Sequence, residues 1–439
     1  MKQYFSGIFN RPSFHNPVVD GIRGFSILMV LFGHLFHFHD STFTLREETD
    51  FLSSFSELFR GDLGVDMFFV ISGFLIGTIL FKEYQKNSSI SYKRFYFRRF
   101  LRLMPVYLVS LFLMWWMYNL GRGDGGNLQI EVMMSNVWTN IIYVNNFIPI
   151  EEQFMGWCWT LAVEEQFYFI VPFFIVFLLR KVKNKFNLFL ILLIFSSVIR
   201  FYIVYSYNLV GENYWGGGLD NNIDYWRKTF SLLYDNLYSR YGSLLIGLWG
   251  SYLYIFKVEN IKSFFNRLKL SKRLYYLSIF VIVSVFIKLD YFYFTEFTSL
   301  GLEIGGENLS FWEKIYFSFI VAVGRNVFSL AIMYIIFYCM FHPLGIKSFL
   351  NRFLSSNILF PIAQLSYSTY LIHPIVMIPV FRFFGEFLFN YTDNVFLVFI
   401  GNGIVSFILI FLLSLLLYAG IEKPFMKMRS TSLFKRISK

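Results

Sequence analysis

The stretch VVDGIRGFSILMVLFGHLFHFHD, from Val18 to Asp40, contains an apolar run long enough to cross a bilayer, yet it carries Asp20, Arg23 and His34. A helix needs about 20 mainly apolar residues to span a hydrocarbon layer about 30 Å thick. Ionisable groups are costly in that layer, because lipid offers them no water and few hydrogen-bond partners. The apolar run decides the fold, and the three charged or titratable groups raise the question of function.

Composition settles the solvent. The 439 residues are 56% hydrophobic and 22% aromatic, with a mean hydropathy of +0.53, well beyond what a soluble domain needs to fill its core. The formal charge of +11 would suit nucleic acid, but in a membrane chain the placement of Lys and Arg matters more than their sum. No nucleic-acid partner is read from it.

Ten apolar runs of spanning length follow one another: Gly21 to Phe38, Gly64 to Phe81, Leu101 to Leu120, Leu161 to Leu179, Phe186 to Ser206, Tyr238 to Phe256, Tyr275 to Phe294, Ile315 to Phe341, Leu359 to Phe381 and Phe396 to Ile421. The loops between them alternate in charge. KEYQKNSSISYKRFYFRRFLR, RKVKNK, KVENIKSFFNRLKLSKR, the segment with Lys347 and Arg352, and the tail EKPFMKMRSTSLFKRISK are basic. DSTFTLREETDFLSSFSELFRGD, the stretch with Glu131, Glu151 and Glu152, GENYWGGGLDNNID and DYFYFTEFTSLGLEIGGE are acidic or mixed. By the positive-inside rule the basic loops are cytoplasmic. The expectation is an all-α integral membrane protein, a bundle of about ten transmembrane helices with both termini cytoplasmic.

A single domain over residues 1–439 is expected, with a short leader (1–18) and a basic tail (423–439), since no internal repeat, linker or low-complexity tract divides the chain. The leader has no apolar core of its own, so the first span is expected to serve as anchor without a cleaved signal. Cys158 and Cys339 fall on opposite membrane faces in this topology, which excludes a disulfide between them. Metal-ligand spacing, a phosphate-binding glycine loop and a nucleophile elbow are all missing from the sequence.

Helix geometry places His34 about 20 Å beyond Gly21, in the outer half of the membrane. Arg23 and His34 return to within about 20° of the same face, with Asp20 about 40° away. Asp20 and Arg23, three residues apart at the start of the helix, are equally explained by a local ion pair. For His34 the alternative is an interhelical histidine that simply pairs across the bundle.

Further polar groups gather in other spans. In GVDMFFVISGFLIG, Gly64, Ser72, Gly73 and Gly77 permit close packing, and Asp66 stands at the outer end. FYFRRFLRLMPVY places Arg98, Arg99 and Arg102 on one cationic face, joined by Lys93 and Arg94, a density suited to a multiply phosphorylated ligand or to anionic lipid headgroups. GWCWTLAVEEQFYFIVP carries Glu164, Glu165 and Tyr168 beside Trp157 and Trp159. SYSTYLIHPIV holds His373, and Arg240 and Arg325 add charge in or near the membrane. Trp215, Tyr225 and Trp226 are candidate sugar-stacking rings in an outer loop, although aromatics abound in this chain.

DGIRG followed by His34, GVDMFFVISGFLI, FYFRRFLRLMPVY, WTLAVEEQFY, SYSTYLIHPIV and YAGIEKPF resemble, in order from Val19 to Phe425, the successive motifs of the membrane-bound acyltransferase 3 family. The resemblance implies a ten-helix O-acyltransferase that takes an acyl group, usually acetyl, from cytoplasmic acyl-CoA and places it on a hydroxyl of an extracytoplasmic glycan or glycolipid. It implies a bacterial cytoplasmic membrane location and no permanently bound cofactor, acetyl-CoA being the donor substrate. Carried over by position, the first-helix Arg and His are Arg23 and His34, the Arg-x-x-Arg pair is Arg99 and Arg102, and the glutamate of the W-[ST]-L-x-V-E motif is Glu164. His34 and Glu164 are then the catalytic candidates, and Arg23, Arg99 and Arg102 bind the donor. Asp20, Asp66, Glu165, Tyr168, Arg240 and His373 are further pocket candidates.

Two features depart from the family pattern. Many relatives carry an acid two positions after the arginine of the sixth helix, whereas SRYGSLLIG has Gly242 after Arg240 here, so no ion pair is expected at Arg240. Some relatives append an SGNH-type hydrolase domain; none is expected here, so transfer is expected to be completed by the membrane domain or handed to a separate protein. His34 can act as general base for direct attack on the thioester or be acylated itself, and Cys158 is a third nucleophile candidate with no base beside it in sequence. The rival class is a transporter or flippase of a glycolipid or polysaccharide.

Overall fold

A computed structural model describes residues 7–13, 15–43, 60–121, 128–209, 223–286 and 310–430. Among these residues ten long helices are present: α1 (Pro17–Phe43), α2 (Gly61–Asn87), α3 (Tyr92–Gly121), α4 (Trp159–Lys181), α5 (Lys185–Ser206), α6 (Leu237–Phe256), α7 (Leu268–Phe286), α8 (Phe311–Phe341), α9 (Leu359–Pro379) and α10 (Val395–Leu417). No strand occurs among the described residues. Helices are what lipid demands, because they satisfy every backbone hydrogen bond within one segment.

Among the described residues, eight helical stretches are long and apolar enough to cross a membrane. The two expected spans outside that set are helical as well. α6 is diluted by Ser239, Arg240 and Ser243, all buried, and α7 starts earlier than expected and is described only to Phe286. The surface pattern is that of a membrane protein. On α10, Leu397, Ile404, Ile408, Leu412 and Leu416 are exposed, while Asn402, Ser406 and Ser414 are buried. The polar residues of this helix pack inward and its outer face is hydrocarbon. The chain is an integral membrane protein.

The helices fall into two compact units, residues 1–65, 91–130 and 349–439 in the first and 66–90 and 131–348 in the second. In the first, α1 packs along α9, and glycines let the backbones approach. A Cβ on Gly21 would overlap the carbonyl of Leu354, and one on Gly24 would overlap that of Leu359. In the second, α2 and α6 exchange glycines. Gly73 lies on the Leu244 carbonyl and Gly247 on the Val70 carbonyl, so neither position has room for a side chain.

The expected packing role of Gly64, Gly73 and Gly77 is therefore seen, Gly64 lying against Ser26 and Gly77 against Ser251. π turns follow α9, at Val380–Gly385, and α10, at Tyr418–Glu422. Pro379 immediately precedes the first. Such a turn inserts an extra residue into the helical ladder and swings the following side chains to a new face.

The acidic loop after α1, the loop containing Trp215 and the loop before α8 lie outside the described residues, as does the side chain of Tyr225. Trp226 is described, and its ring meets Phe230 at 5.3 Å.

Candidate functional site

In the first unit α1 and α9 bring two histidines together. The rings of His34 and His373 lie 4.7 Å apart between centroids at an interplanar angle of 66°. His34 Nδ1 donates to the Val30 carbonyl at 2.9 Å, and His373 Nδ1 donates to the Tyr370 carbonyl at 2.7 Å. A carbonyl only accepts, so each neutral ring carries its proton on Nδ1 and presents Nε2 as a lone pair. His373 is fully buried, and its Nε2 has no hydrogen-bond partner among the described residues. His34 is only partly buried.

At the other end of α1 the leader folds back on the helix. Arg11 donates to the carbonyls of Ser355 and Ser356 at 2.9 and 3.2 Å and lies 3.3 Å from Asp20. His15 Nδ1 stands 3.2 Å from the same carboxylate. The leader thus supplies partners for Asp20 that the spacing of Asp20 and Arg23 alone does not suggest. Arg23 acts on Glu422, together with Arg102.

Glu422 closes the π turn after α10, is 2% exposed, and accepts a hydrogen bond from Ser368 Oγ at 3.2 Å. Arg98, Arg99 and Arg102 all lie in α3, against which the chain segment following α10 packs. Sequence reasoning missed Glu422, although it sits inside the quoted YAGIEKPF. A glutamate at the start of a basic tail reads as interface charge until the turn that buries it is seen.

The second unit holds a buried ionic cluster. Asp66 is fully buried and accepts from Arg325, from Arg240 Nη1 at 3.3 Å and from Ser243 Oγ at 3.2 Å. The Arg240 guanidinium also faces Tyr234 at 4.5 Å, Trp159 at 4.9 Å and Phe69 at 6.0 Å. Arginine's weakly hydrated plane suits such stacking.

The doubt raised by Gly242 is corrected here: Arg240 has its ion pair, supplied by Asp66 on another helix. A Cβ on Gly242 would meet the side chains of Asn326 and Ser196, so an acid there would have to displace them. Near the same arginine, Asp235 is fully buried at the turn before α6 and accepts from Gln153 at 2.9 Å and from Asn236 at 3.0 Å. Burial pushes the Asp235 carboxyl well above its usual range, against the lowering effect of the hydrogen bond from Gln153 and of Arg240.

Glu164 lies on α4 and accepts a hydrogen bond from Ser72 Oγ of α2. Ser72, expected only to ease packing, is therefore the hydroxyl that orients this carboxylate. Glu165 is half-buried beside it and Tyr168 is buried one turn on. Cys158 and Cys339 are both buried, and neither is in a disulfide. Among the described residues no group of three or more His, Cys, Asp or Glu side chains is arranged to hold a metal ion.

Two arrangements thus carry chemistry: a histidine pair with free Nε2 positions, and an arginine face suited to phosphate. A base within the membrane and a cationic anchor are what transfer of an acyl group from a charged carrier requires.

The sequence is also similar to known proteins. Over 182 residues, 38% of this chain and 25% of the relative, the sequence is 34% identical to the protein named peptidoglycan O-acetyltransferase OatA of Listeria monocytogenes serovar 1/2a. Over 383 residues, 81% of this chain and 44% of the relative, it is 25% identical to the nose resistant to fluoxetine protein 6 of Caenorhabditis elegans. The matched stretches thus span less than half the length of these relatives. No solved structure matches the chain. The family model described as "Acyltransferase domain" covers residues 16–419, from one residue before α1 into the π turn that follows α10. The match takes in the His34–His373 pair, Arg98, Arg99 and Arg102 and the ten long helices described above, and the chain belongs to this acyltransferase family.

Proposed function

We propose that the protein is a membrane O-acetyltransferase of the bacterial cytoplasmic membrane, moving an acetyl group from cytoplasmic acetyl-CoA to a hydroxyl of an extracytoplasmic carbohydrate. The observation that carries the reading is His34 itself: partly accessible, Nδ1 committed to Val30, Nε2 left as a base. Family membership and the similarity to a peptidoglycan O-acetyltransferase support it.

Arg99 and Arg102 would hold the donor phosphates through guanidinium forks at the cytoplasmic side, with Arg23 beside them. Coenzyme A is too highly charged to cross, so only its acyl-bearing arm would enter the bundle. His34 Nε2 would take the proton of the acceptor hydroxyl as its oxygen bonds to the thioester carbonyl carbon. The carbon–sulfur bond would then break, and the same proton would pass from the imidazolium to the departing sulfur. The products balance as an O-acetyl ester and the free thiol of coenzyme A. Glu164, oriented by Ser72, is assigned as the second catalytic group on the strength of its place in the family motif.

The test uses sealed membrane vesicles given labelled acetyl-CoA at the cytoplasmic face. Label on a lumenal glycan, lost in His34→Ala, is the expected result. Absence of label with the wild-type protein, coupled with movement of an unmodified glycolipid across the membrane, would give the chain to the transporter class instead.

A further inference from the structure

The chain continues past the family match, and that continuation returns to the arginine face. After the π turn Tyr418–Glu422 come a short helix, Lys423–Lys427, and a 3-10 turn, Met428–Ser430, both packed on α3. This brings Arg429 among Arg98, Arg99 and Arg102. The Nε and Nη2 atoms of Arg429 are buried and have no hydrogen-bond partner among the described residues.

Burial, with the like charges of Arg102, Arg98 and Arg99, pulls the Arg429 guanidinium down to about 10, and the Glu422 carboxylate opposes them. That acid already accepts from Ser368 and faces Arg102 and Arg23. Buried guanidinium donors gathered with like charges make sense when an anion with several oxygens sits among them, since each fork takes two oxygens and the anion removes the repulsion.

We propose that Arg429 is a further phosphate-binding residue, completing with Arg98, Arg99 and Arg102 a four-guanidinium site for the phosphate groups of an organic polyphosphate. The assignment rests on the acetyl-CoA reading only for the name of that polyphosphate, the nucleotide end of coenzyme A. Arg429 lies beyond the residues matched by the family, so the resemblance gives it no role.

The test takes the full chain in nanodiscs of phosphatidylcholine alone and titrates adenosine 3′,5′-bisphosphate by calorimetry. Loss of a charged, forked contact in Arg429→Gln is expected to weaken binding about tenfold or more, with Arg429→Lys in between because it keeps the charge and loses the fork. Equal affinity in wild type and Arg429→Gln would overturn the proposal. So would a wild type that ignores the bisphosphate and is instead stabilised by phosphatidylglycerol discs more than Arg429→Gln is, because the arginine would then serve lipid headgroups.

Should Arg429→Gln not fold, Arg429→Lys carries the test, and unchanged bisphosphate affinity in it overturns the assignment. The donor reading fails separately. If acetyl-CoA yields no label while bisphosphate binding still depends on Arg429, the site stands and the donor is another polyphosphate.

Discussion

His34 and His373 meet ring to ring at 4.7 Å, each tied by Nδ1 to a carbonyl of its own helix. With both Nδ1 atoms committed, the pair has its free lone pairs on the two Nε2 atoms. A general base contributes about 10²- to 10⁴-fold to rate, and His34→Ala is expected to lower label transfer by that order. His373→Gln is expected to cost less and to shift the pH profile of the remaining activity, because it changes the environment of the base without removing it. Equal rates in wild type and His34→Ala vesicles would remove His34 from the reaction.

Asp66 answers two arginines at once. Removing one partner of a buried pair leaves uncompensated charge and costs about 3–5 kcal/mol. Asp66→Asn should therefore lower the yield of folded protein and its thermal midpoint in detergent. Arg240→Lys should also destabilise, since an ammonium cannot lie flat against Tyr234 and Trp159 while reaching Asp66. A midpoint unmoved by Asp66→Asn would contradict the cluster's structural weight.

Gly73 and Gly247 are each pressed on a carbonyl of the opposite helix. Replacement of either by Ala forces α2 and α6 apart, and overpacking of a fixed contact costs about 1–3 kcal/mol. Gly324, which has open space around its Cα, is the internal control. Gly324→Ala should leave the thermal midpoint unchanged or raise it slightly, as Ala is the better helix former.

Asp235 yields a pH prediction. Its folded carboxyl holds its proton more tightly than the ordinary value of 3.8 allows. Above that value the unfolded chain binds fewer protons than the folded one, so this group's contribution to stability falls as pH rises toward the raised folded value. Asp235→Asn lacks the titration. The difference in thermal midpoint between variant and wild type should grow in the variant's favour from pH 4 to pH 7, and a difference constant over that range would refute the assignment.

Much of this architecture is legible in the chain alone. Apolar runs of spanning length became helices because lipid leaves the backbone few alternatives. The arginines of α3 and the histidine of α1 stand out for the same reason: charge in such a run needs an explanation. Pairings between distant helices are not legible. His373 is visible as a histidine in a span, but its partner is set by the glycines that let α1 lie against α9. Ser72 reads as a packing residue because a hydroxyl and a small side chain look alike until Glu164 is placed beside it. Arg11 and His15 read as ordinary leader residues until the leader folds back on Asp20.

The π turn after α10 ends on Glu422, and the segment beyond it carries Arg429 to the same helix, α3. One acid and one base therefore depend on a single irregular turn. A deletion placed immediately after α10 would keep every membrane helix and remove both at once. The last span is in this sense a lever as well as an anchor: a shift in the pitch of five residues would reset the charge facing the arginines while the rest of the bundle stays as it is.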